Sequence, residues 1–254
     1  MTAPLHLLYL PLPSRRIAAF AKRHRALSGD QGYLVHGVLS AVFGEQAPKP
    51  FSIAGDTGER LSVYAYADRD LAALREARDP FAPPDVDDLI DWEAAATKPM
   101  PTLPAGMRLA FSVRVCPTVR LGRTPAGGKR SGAELDAYLA ALDKWEEADG
   151  TPDTKPDRDA VYLGWFRAAL DRAGGVELES LHIATFRLED LMRKSGTRGE
   201  PGRPSAQLNR HPVATMEGVL RVTEADAFTR LLARGVGRHR AFGFGMLMLR
   251  KAPC

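Results

Sequence analysis

Cysteine is scarce in this sequence, and long apolar runs are absent. Cys116 and Cys254 are the two cysteines among 254 residues. This number excludes a disulfide scaffold and a zinc site built from cysteines, so we expect a reduced, cytoplasmic protein. The apolar segment 5–12 is short and interrupted by proline, and no later segment reaches the roughly 18 apolar residues of a membrane span. We therefore expect neither a signal peptide nor a transmembrane helix.

The sequence also lacks a large excess of charge of one sign. The 35 Lys and Arg residues nearly balance 31 Asp and Glu residues, and 44% of the chain is hydrophobic. Such a composition is typical of a globular protein with one large domain or two small ones. The basic residues are nevertheless concentrated in four stretches, 14–25, 120–130, 193–211 and 230–240. This segregation predicts one strongly positive, phosphate-binding face, with the acidic tract 68–93 lying away from it.

The hydrophobic patterns predict the same order of elements twice. In the first half we expect the order βαββαβ, with strands at residues 6–10, 51–54, 61–67 and 92–97 and helices at 31–43 and 71–77. Asp30 would cap the first helix and Asp68 the second. In the second half we expect the same order, with strands at residues 107–115, 176–188, 214–222 and 244–249 and helices at 161–172 and 224–233. Thr223 would cap the second of these helices.

This order predicts an α+β fold of two tandem ferredoxin-like, RRM-like domains. We place the N-terminal domain at residues 1–97, a Pro-rich linker at 98–105 and the C-terminal domain at 106–254. The second domain would carry two additions. One is a helical insertion at about 122–159, with a charged helix over 133–147, and the other is a basic loop at 194–210.

The histidines are scattered and show no metal-ligand spacing together with acidic residues. We therefore expect no metal ion and no other cofactor. His182 lies within an alternating strand pattern and is interpreted as structural. His211 precedes Pro212 and is interpreted as a turn residue.

A glycine-rich loop, GVGRHRAFGFG at 235–245, separates the last predicted helix from the last strand. Glycines let a backbone approach a phosphate closely, the basic side chains add charge, and Phe242 offers a stacking face. The loop is neither a Walker loop, since it has no GK[ST], nor a dinucleotide-binding loop, since it follows a helix and precedes a strand. A plain glycine-rich turn is the alternative interpretation.

A loop of this pattern before a terminal apolar strand, in a protein of two ferredoxin-like units, resembles the CRISPR repeat-processing endoribonucleases. The chain is most similar to the CasE group and its type IV counterparts, and the segment RVCPTVRL at 114–121 shares the resemblance. The resemblance implies an enzyme that binds the repeat stem-loop RNA and cleaves it at its base without metal. It also implies that the protein stays on the mature guide RNA within an effector complex of several subunits.

Tyr33 and His36 lie three residues apart on the first predicted helix and therefore share a face. Metal-free RNA cleavage needs a base for the 2′-OH proton, an acid for the 5′-oxygen and a cation for the phosphorane. The resemblance assigns acid/base catalysis to His36, and proton transfer or substrate positioning to Tyr33. A basic cluster just before the helix makes Arg23 and His24 secondary catalytic candidates, because arginine stabilises a phosphorane.

Stem-loop RNA is recognised mainly through its shape and phosphates. The candidate RNA-binding residues are basic or lie in the glycine-rich loop: Lys22, Arg25, Arg120, Arg123, Lys129, Arg130, Arg193, Lys194, Arg198, Arg203, Arg210, Gly237, Arg238, His239, Arg240, Phe242 and Gly243. Trp145 is a further candidate for stacking, whereas Trp165 and Phe166 are favoured as core residues. Two alternatives stay open: a non-catalytic RNA-binding subunit of the same complex, and an unrelated ferredoxin-like small-molecule or protein-interaction module.

Overall fold

The computed structural model describes residues 4–23, 30–78, 83–121, 134–148, 150–194 and 206–253. Several candidate residues lie outside these ranges, namely His24, Arg25, Arg123, Lys129, Arg130, Arg198 and Arg203. The side chains of Arg193 and Lys194 are likewise outside the description. Among the described helices, none combines the length and the hydropathy that a membrane span requires.

The N-terminal half forms a four-stranded antiparallel sheet covered by helices. Its elements are, in order, β1 (His6–Pro13), α1 (Ser14–Arg23), α2 (Gln31–Phe43), β2 (Phe51–Asp56), β3 (Arg60–Ala67), α3 (Leu71–Glu76), α4 (Pro84–Asp87) and β4 (Ala96–Pro99). The strand order in the sheet is β2-β3-β1-β4. This is the order of a ferredoxin-like unit, in which the first and third strands are central.

The C-terminal half repeats this architecture. Its elements are β5 (Arg108–Val115), β6 (Thr118–Arg120), β7 (Glu134–Asp136), α5 (Ala137–Glu147), α6 (Arg158–Ala173), β8 (Val176–Lys194), β9 (Ala206–Val222), α7 (Ala225–Arg234) and β10 (Met248–Lys251). The main sheet has the order β10-β5-β9-β8, again with the unit's first and third strands in the centre. The predicted α+β fold of two ferredoxin-like units is confirmed. The strands β6 and β7 pair separately and, with α5, form the insertion in the second unit.

Several predicted boundaries differ from the observed ones. Asp30 caps α2 as predicted, but α3 is capped by Asp70, whose carboxylate accepts from the Ala73 N–H. Glu224 rather than Thr223 caps α7, because its carboxylate accepts from two backbone N–H groups of the first turn. A cap must present an oxygen to the second or third helical N–H, so each observed cap stands immediately before its helix.

Four elements also differ from the expectations drawn from the sequence. The last strand begins at Met248 instead of residue 244, since residues 244–247 pack into the core as irregular chain. No helix is expected from the sequence at residues 14–23, but α1 forms there and buries Ile17 and Phe20. Phe20 lies beside Gly37 of α2. Strand β4 begins at Ala96 instead of residue 92, because residues 92–94 form a turn, and it extends two residues into the proposed linker. Strand β9 begins at Ala206, within the proposed basic loop. The division into domains stays a prediction.

The two halves share buried surface. Leu8, Leu10 and Leu12 of β1 alternate into the core of the N-terminal sheet. Tyr66 of β3 belongs instead to the core of the C-terminal half, where its hydroxyl donates to the Leu247 carbonyl at 3.0 Å. Burial raises the pKa of Tyr66, so its hydroxyl remains a neutral donor across the physiological range.

Asp30 joins the first turn of α2 to the C-terminal half. Its Oδ1 accepts from the Tyr33 N–H at 2.9 Å, which is the cap, and its Oδ2 accepts from the Met192 N–H of β8 at 3.0 Å. The side chain is buried, so a lost partner would not be replaced by bulk water. One carboxylate therefore fixes both the start of the helix and its position against β8.

The acidic tract 68–93 lies against a basic stretch, which contradicts the prediction that the two are separated. Arg23 pairs with Asp85, and Arg16 pairs with Asp88 at 3.2 Å. The reason is local: residues of both signs meet where α4 and the segment after it come beside α1. Part of the charge of residues 14–25 is therefore compensated within the protein.

Substitutions at Asp30 should separate its two roles. Asp70→Ala, which removes a cap alone, should lower the free energy of unfolding by about 1 kcal/mol. Asp30→Ala should lower it by about 2–4 kcal/mol, because a buried N–H of β8 also loses its acceptor. The loss of unfolding free energy in Asp30→Asn should fall between these two values, since the remaining amide oxygen still caps the helix. Urea unfolding followed by circular dichroism measures this order, and equal losses in the two alanine variants would contradict it.

Candidate functional site

Helix α2 places Tyr33 and His36 side by side. Both side chains are half-buried, and their ring centroids lie 6.4 Å apart in an edge-on arrangement. The helix begins immediately after Asp30, so the spacing of three residues brings the two rings to one face at its N-terminal end. Ser40, one turn further on, brings its Oγ to 3.5 Å from the His36 Nδ1.

The glycine-rich loop covers this face from the C-terminal half. The ring of Phe242 stacks parallel to Tyr33 at 6.0 Å and meets His36 edge-on at 4.7 Å. These distances are typical of favourable aromatic pairs. The sequence predicted Phe242 as a stacking face for RNA bases, whereas its ring contacts the two candidate catalytic side chains.

Close contact between α2 and the loop requires glycine at position 32. A Cβ added there would lie 2.2 Å from the carbonyl oxygen of Phe242, which is far inside van der Waals contact. The backbone of the loop therefore rests directly on the first turn of the helix. Sequence reasoning did not single out Gly32, because nothing in its neighbourhood along the chain reveals the contact.

A pocket of about 150 Å³ lies beside His36. Ser40, Glu45, Lys49 and Ala241 are among the residues that line it. Lys49 is exposed and lines the same pocket as His36. Gly243 packs on the same side, since a Cβ added there would lie 3.2 Å from the ring of Phe51. No motif or spacing in the sequence singles out Lys49, which is 13 residues from His36.

The basic residues of the glycine-rich loop have partners within the protein. Arg238 donates to Glu134 at 2.6 Å, and the Nε2 of His239 lies 3.0 Å from the other oxygen of the same carboxylate. Arg240 donates to the carbonyl of Arg234 at 2.6 Å. A Cβ added to Gly237, whose φ is +74°, would lie 2.9 Å from Trp165. Packing and internal pairing thus account for much of the loop's composition.

A second pocket, of about 420 Å³, lies at the base of this loop and is rich in arginine. Its lining includes Arg120, Arg172, Arg234, Arg238 and the half-buried Trp165. Arg120, Arg172 and Arg234 are exposed. Beside this pocket, burial and then the nearby charge of Arg234 lower the pKa of Arg240. An anion would relieve the repulsion between neighbouring cations.

The remaining described candidates lie apart from these pockets. Lys22 is exposed near the end of α1, and the side chain of Arg23 pairs with Asp85. Arg210 is exposed on β9, with its Nε 3.8 Å from Asp190. Trp145 donates from its indole N–H to Thr151 and Thr154, and Phe166 is fully buried as predicted.

Three possible metal ligands that are distant in the sequence meet in the C-terminal half. Cys116 Sγ and one ring nitrogen each of His211 and His239 lie within 4.8 Å of one another. The prediction of a turn at His211 is wrong, because this residue is buried within β9. Burial raises the pKa of the Cys116 thiol to about 12. Spacing along the chain did not reveal this group, since its members come from three separate segments.

Comparison with known proteins assigns the family. The family model described as "CRISPR associated protein" matches residues 6–251, which is nearly the whole chain. The chain belongs to this family. No curated protein sequence gives a significant match.

Several solved structures share the fold of this chain. A CRISPR endoribonuclease Cse3 bound to a 19-nucleotide RNA aligns with a TM-score of 0.61 and 21% identity, over 97% of this chain and 99% of that chain. Thermus thermophilus Cse3, bound to an RNA representing a pre-cleavage complex, aligns with a TM-score of 0.58 and 20% identity, over 98% of this chain and 100% of that chain. The CRISPR-associated protein Cas6e from Escherichia coli K-12 aligns with a TM-score of 0.54 and 16% identity, over 97% of this chain and 100% of that chain. The similarity to CasE predicted from the glycine-rich loop is confirmed for family and fold.

Two glycines of α2 provide a matched test of the contact with the loop. Gly37→Ala should raise the free energy of unfolding by about 0.5–1 kcal/mol, because alanine favours the helix and the new Cβ meets Phe20 at an ordinary 3.6 Å. Gly32→Ala should lower it by about 1–3 kcal/mol, since its Cβ forces the helix and loop apart. Thermal unfolding of both variants measures the difference, and stabilisation by both would contradict the contact.

Proposed function

We propose that this protein is a CRISPR repeat-processing endoribonuclease that cleaves the repeat RNA at the base of its stem without a metal ion in the chemical step. The observation that carries the proposal is the grouping of Tyr33 and His36 at the start of α2, beneath Phe242 of the glycine-rich loop. Family membership and the shared fold of Cse3 and Cas6e endoribonucleases support it. The family match also argues against an unrelated ferredoxin-like module.

The proposed reaction is an internal transfer of the phosphate. A general base takes the 2′-OH proton, the 2′-oxygen attacks phosphorus, and the bond to the 5′-oxygen breaks as that oxygen receives a proton. The products are a 2′,3′-cyclic phosphate, or the 3′-phosphate after hydrolysis, and a 5′-hydroxyl. His36 acts in acid/base catalysis, because histidine titrates near about pH 6.5 and can both accept and donate a proton at neutral pH.

Two neighbours complete the proposed site. Tyr33, whose ring lies beside that of His36, transfers a proton or positions the ribose. Lys49 beside the small pocket supplies a cation that stabilises the charge developing on the phosphorane. The pocket is bounded on its other side by Ala241 of the glycine-rich loop, so both halves of the protein shape it.

The alternative catalytic group is the arginine-rich end of α1. Arginine does not act as a ready base at neutral pH but stabilises a phosphorane well. Arg23 pairs with Asp85 at an exposed site, and such a pair is weak enough for a phosphate to replace the carboxylate. His24, the other candidate, lies outside the described residues. The experiment below distinguishes the two groups.

RNA binding is proposed at the arginine-rich pocket. Arg120, Arg172 and Arg234 are exposed around one depression and match the repeated charge of an RNA backbone. Structures of related fold include Cse3 bound to RNA and a protein of a CRISPR RNA-guided surveillance complex in a pre-nicking state, with a TM-score of 0.51 and 19% identity. By analogy we propose that this protein keeps the cleaved stem-loop and joins such a complex.

Substitutions at the proposed catalytic residues should abolish cleavage but not binding. Under single-turnover conditions with EDTA, His36→Ala should lower the cleavage rate of a repeat RNA by about 100- to 10,000-fold, the usual contribution of acid/base catalysis. Tyr33→Phe and Lys49→Ala should lower it as well, with hairpin affinity retained. The matched control is His182→Ala, an exposed histidine of β8, which should cleave at the wild-type rate.

Other outcomes would redirect or reject the proposal. Cleavage that persists in the Tyr33 and His36 variants but is lost in Arg23→Ala would move the catalytic site to α1. A purified wild-type protein that binds the hairpin tightly yet never cleaves it would favour the non-catalytic RNA-binding subunit. The same assay therefore decides between both alternatives.

The salt dependence of RNA affinity tests the arginine-rich pocket. Each phosphate contact contributes about 0.7–0.9 to the slope of log affinity against log salt concentration. The double variant Arg120→Ala/Arg172→Ala should therefore reduce that slope by about 1–2. Arg230→Ala is the control, because Arg230 is exposed on α7 and pairs with Glu224. A slope unchanged in the double variant would place the RNA elsewhere on the protein.

A further inference from the structure

A buried cluster behind the glycine-rich loop has a composition unlike the rest of the core. Cys116 follows the end of β5, His211 lies in β9, and His239 lies in the loop itself. Cys116 and His211 are buried, and the side chain of His239 is 13% exposed. Cysteine and histidine are both ligands of first-row transition metals.

The geometry of the cluster approaches that of a zinc site. The three candidate ligand atoms lie within 4.8 Å of one another. In a tetrahedral zinc site with bonds of about 2.0–2.3 Å, the ligand atoms are about 3.5 Å apart. Closure of about one ångström would therefore bring the three atoms to bonding distance, a movement within reach of side-chain rotation.

Glu134 supplies the partner that a ligating histidine requires. A metal-bound histidine almost always donates its other ring N–H to a carboxylate or a carbonyl, which fixes the orientation of the ring. The Nε2 of His239 lies 3.0 Å from Glu134, whose carboxylate also pairs with Arg238. The carboxylate therefore fixes the orientation of the His239 ring.

The backbone of His239 provides an independent sign of a constrained position. Among the described residues, His239 is the one non-glycine residue with positive φ, at +59°. A non-glycine side chain in this region is disfavoured and persists where surrounding interactions hold it. In a loop that contains several glycines, this position holds a histidine whose imidazole lies in the cluster.

We propose that Cys116, His211 and His239 bind one zinc ion, which anchors the glycine-rich loop to β5 and β9. Binding forms one Zn–S and two Zn–N bonds and releases the thiol proton to solvent. The fourth position is left for a water molecule. The ion would be structural for the candidate cleavage site: the ring of Phe242 lies 6.5 Å from that of His239 and 4.7 Å from that of His36. The proposal does not depend on the proposed function.

Metal analysis of the purified chain tests the proposal. The protein is expressed with zinc in the medium, and unbound metal is removed by gel filtration. Inductively coupled plasma mass spectrometry should then find about one zinc ion per wild-type chain. Cys116→Ser and His211→Gln should each lose most of it. His182→Gln is the matched control, since His182 is exposed on β8, and it should retain the wild-type content.

Cobalt gives a readout that does not rely on the variants' stability. Apo protein refilled with Co²⁺ should show a thiolate-to-cobalt charge-transfer band, and removal of zinc should lower the melting temperature of the wild-type protein. Wild-type protein without zinc and without the cobalt band would overturn the proposal, and copper in place of zinc would overturn the choice of metal. Both readouts are taken without RNA, so their failure is distinct from a failure of RNA cleavage.

Discussion

The contact between the first turn of α2 and the C-terminal half is the interaction on which the candidate site depends. The carboxylate of Asp30 caps the helix and binds β8, and Gly32 lets the backbone of the glycine-rich loop rest directly on the helix. Since Tyr33 and His36 stand on the same turns, these two contacts also fix their position. A site at the junction of two folded units needs such a fixed reference, because neither unit contains all of its groups.

The glycine-rich loop acts first as a structural part of the molecule. Its glycines accommodate Trp165 and Phe51, and two of its basic side chains are held by Glu134. Phe242 then projects from this braced loop onto the candidate catalytic residues. A rigid loop of this kind presents one ring with little conformational freedom, which is the property that a precisely positioned site requires.

The distribution of charge also has a structural explanation. The mild net charge of +4 conceals local excesses of both signs, as the sequence indicated. Ion pairs then compensate part of each excess: Asp85 and Asp88 meet α1, and Glu134 meets the loop. The arginines that remain exposed around one pocket, among them Arg120 and Arg172, lie 52 residues apart in the chain. Tertiary structure, rather than the basic stretches themselves, therefore decides where exposed positive charge collects.

The sequence by itself determined the fold class, helix α2 with its Asp30 cap, and the adjacency of Tyr33 and His36. These features depend on local periodicity and on neighbours within one helical turn. Only the tertiary structure decided the contacts of Phe242, Lys49 and Glu134, the burial of His211, and the meeting of His211 with Cys116 and His239. These depend on pairs of segments that lie far apart in the chain, and no spacing rule encodes their meeting, because it follows from how two sheets and a loop pack together.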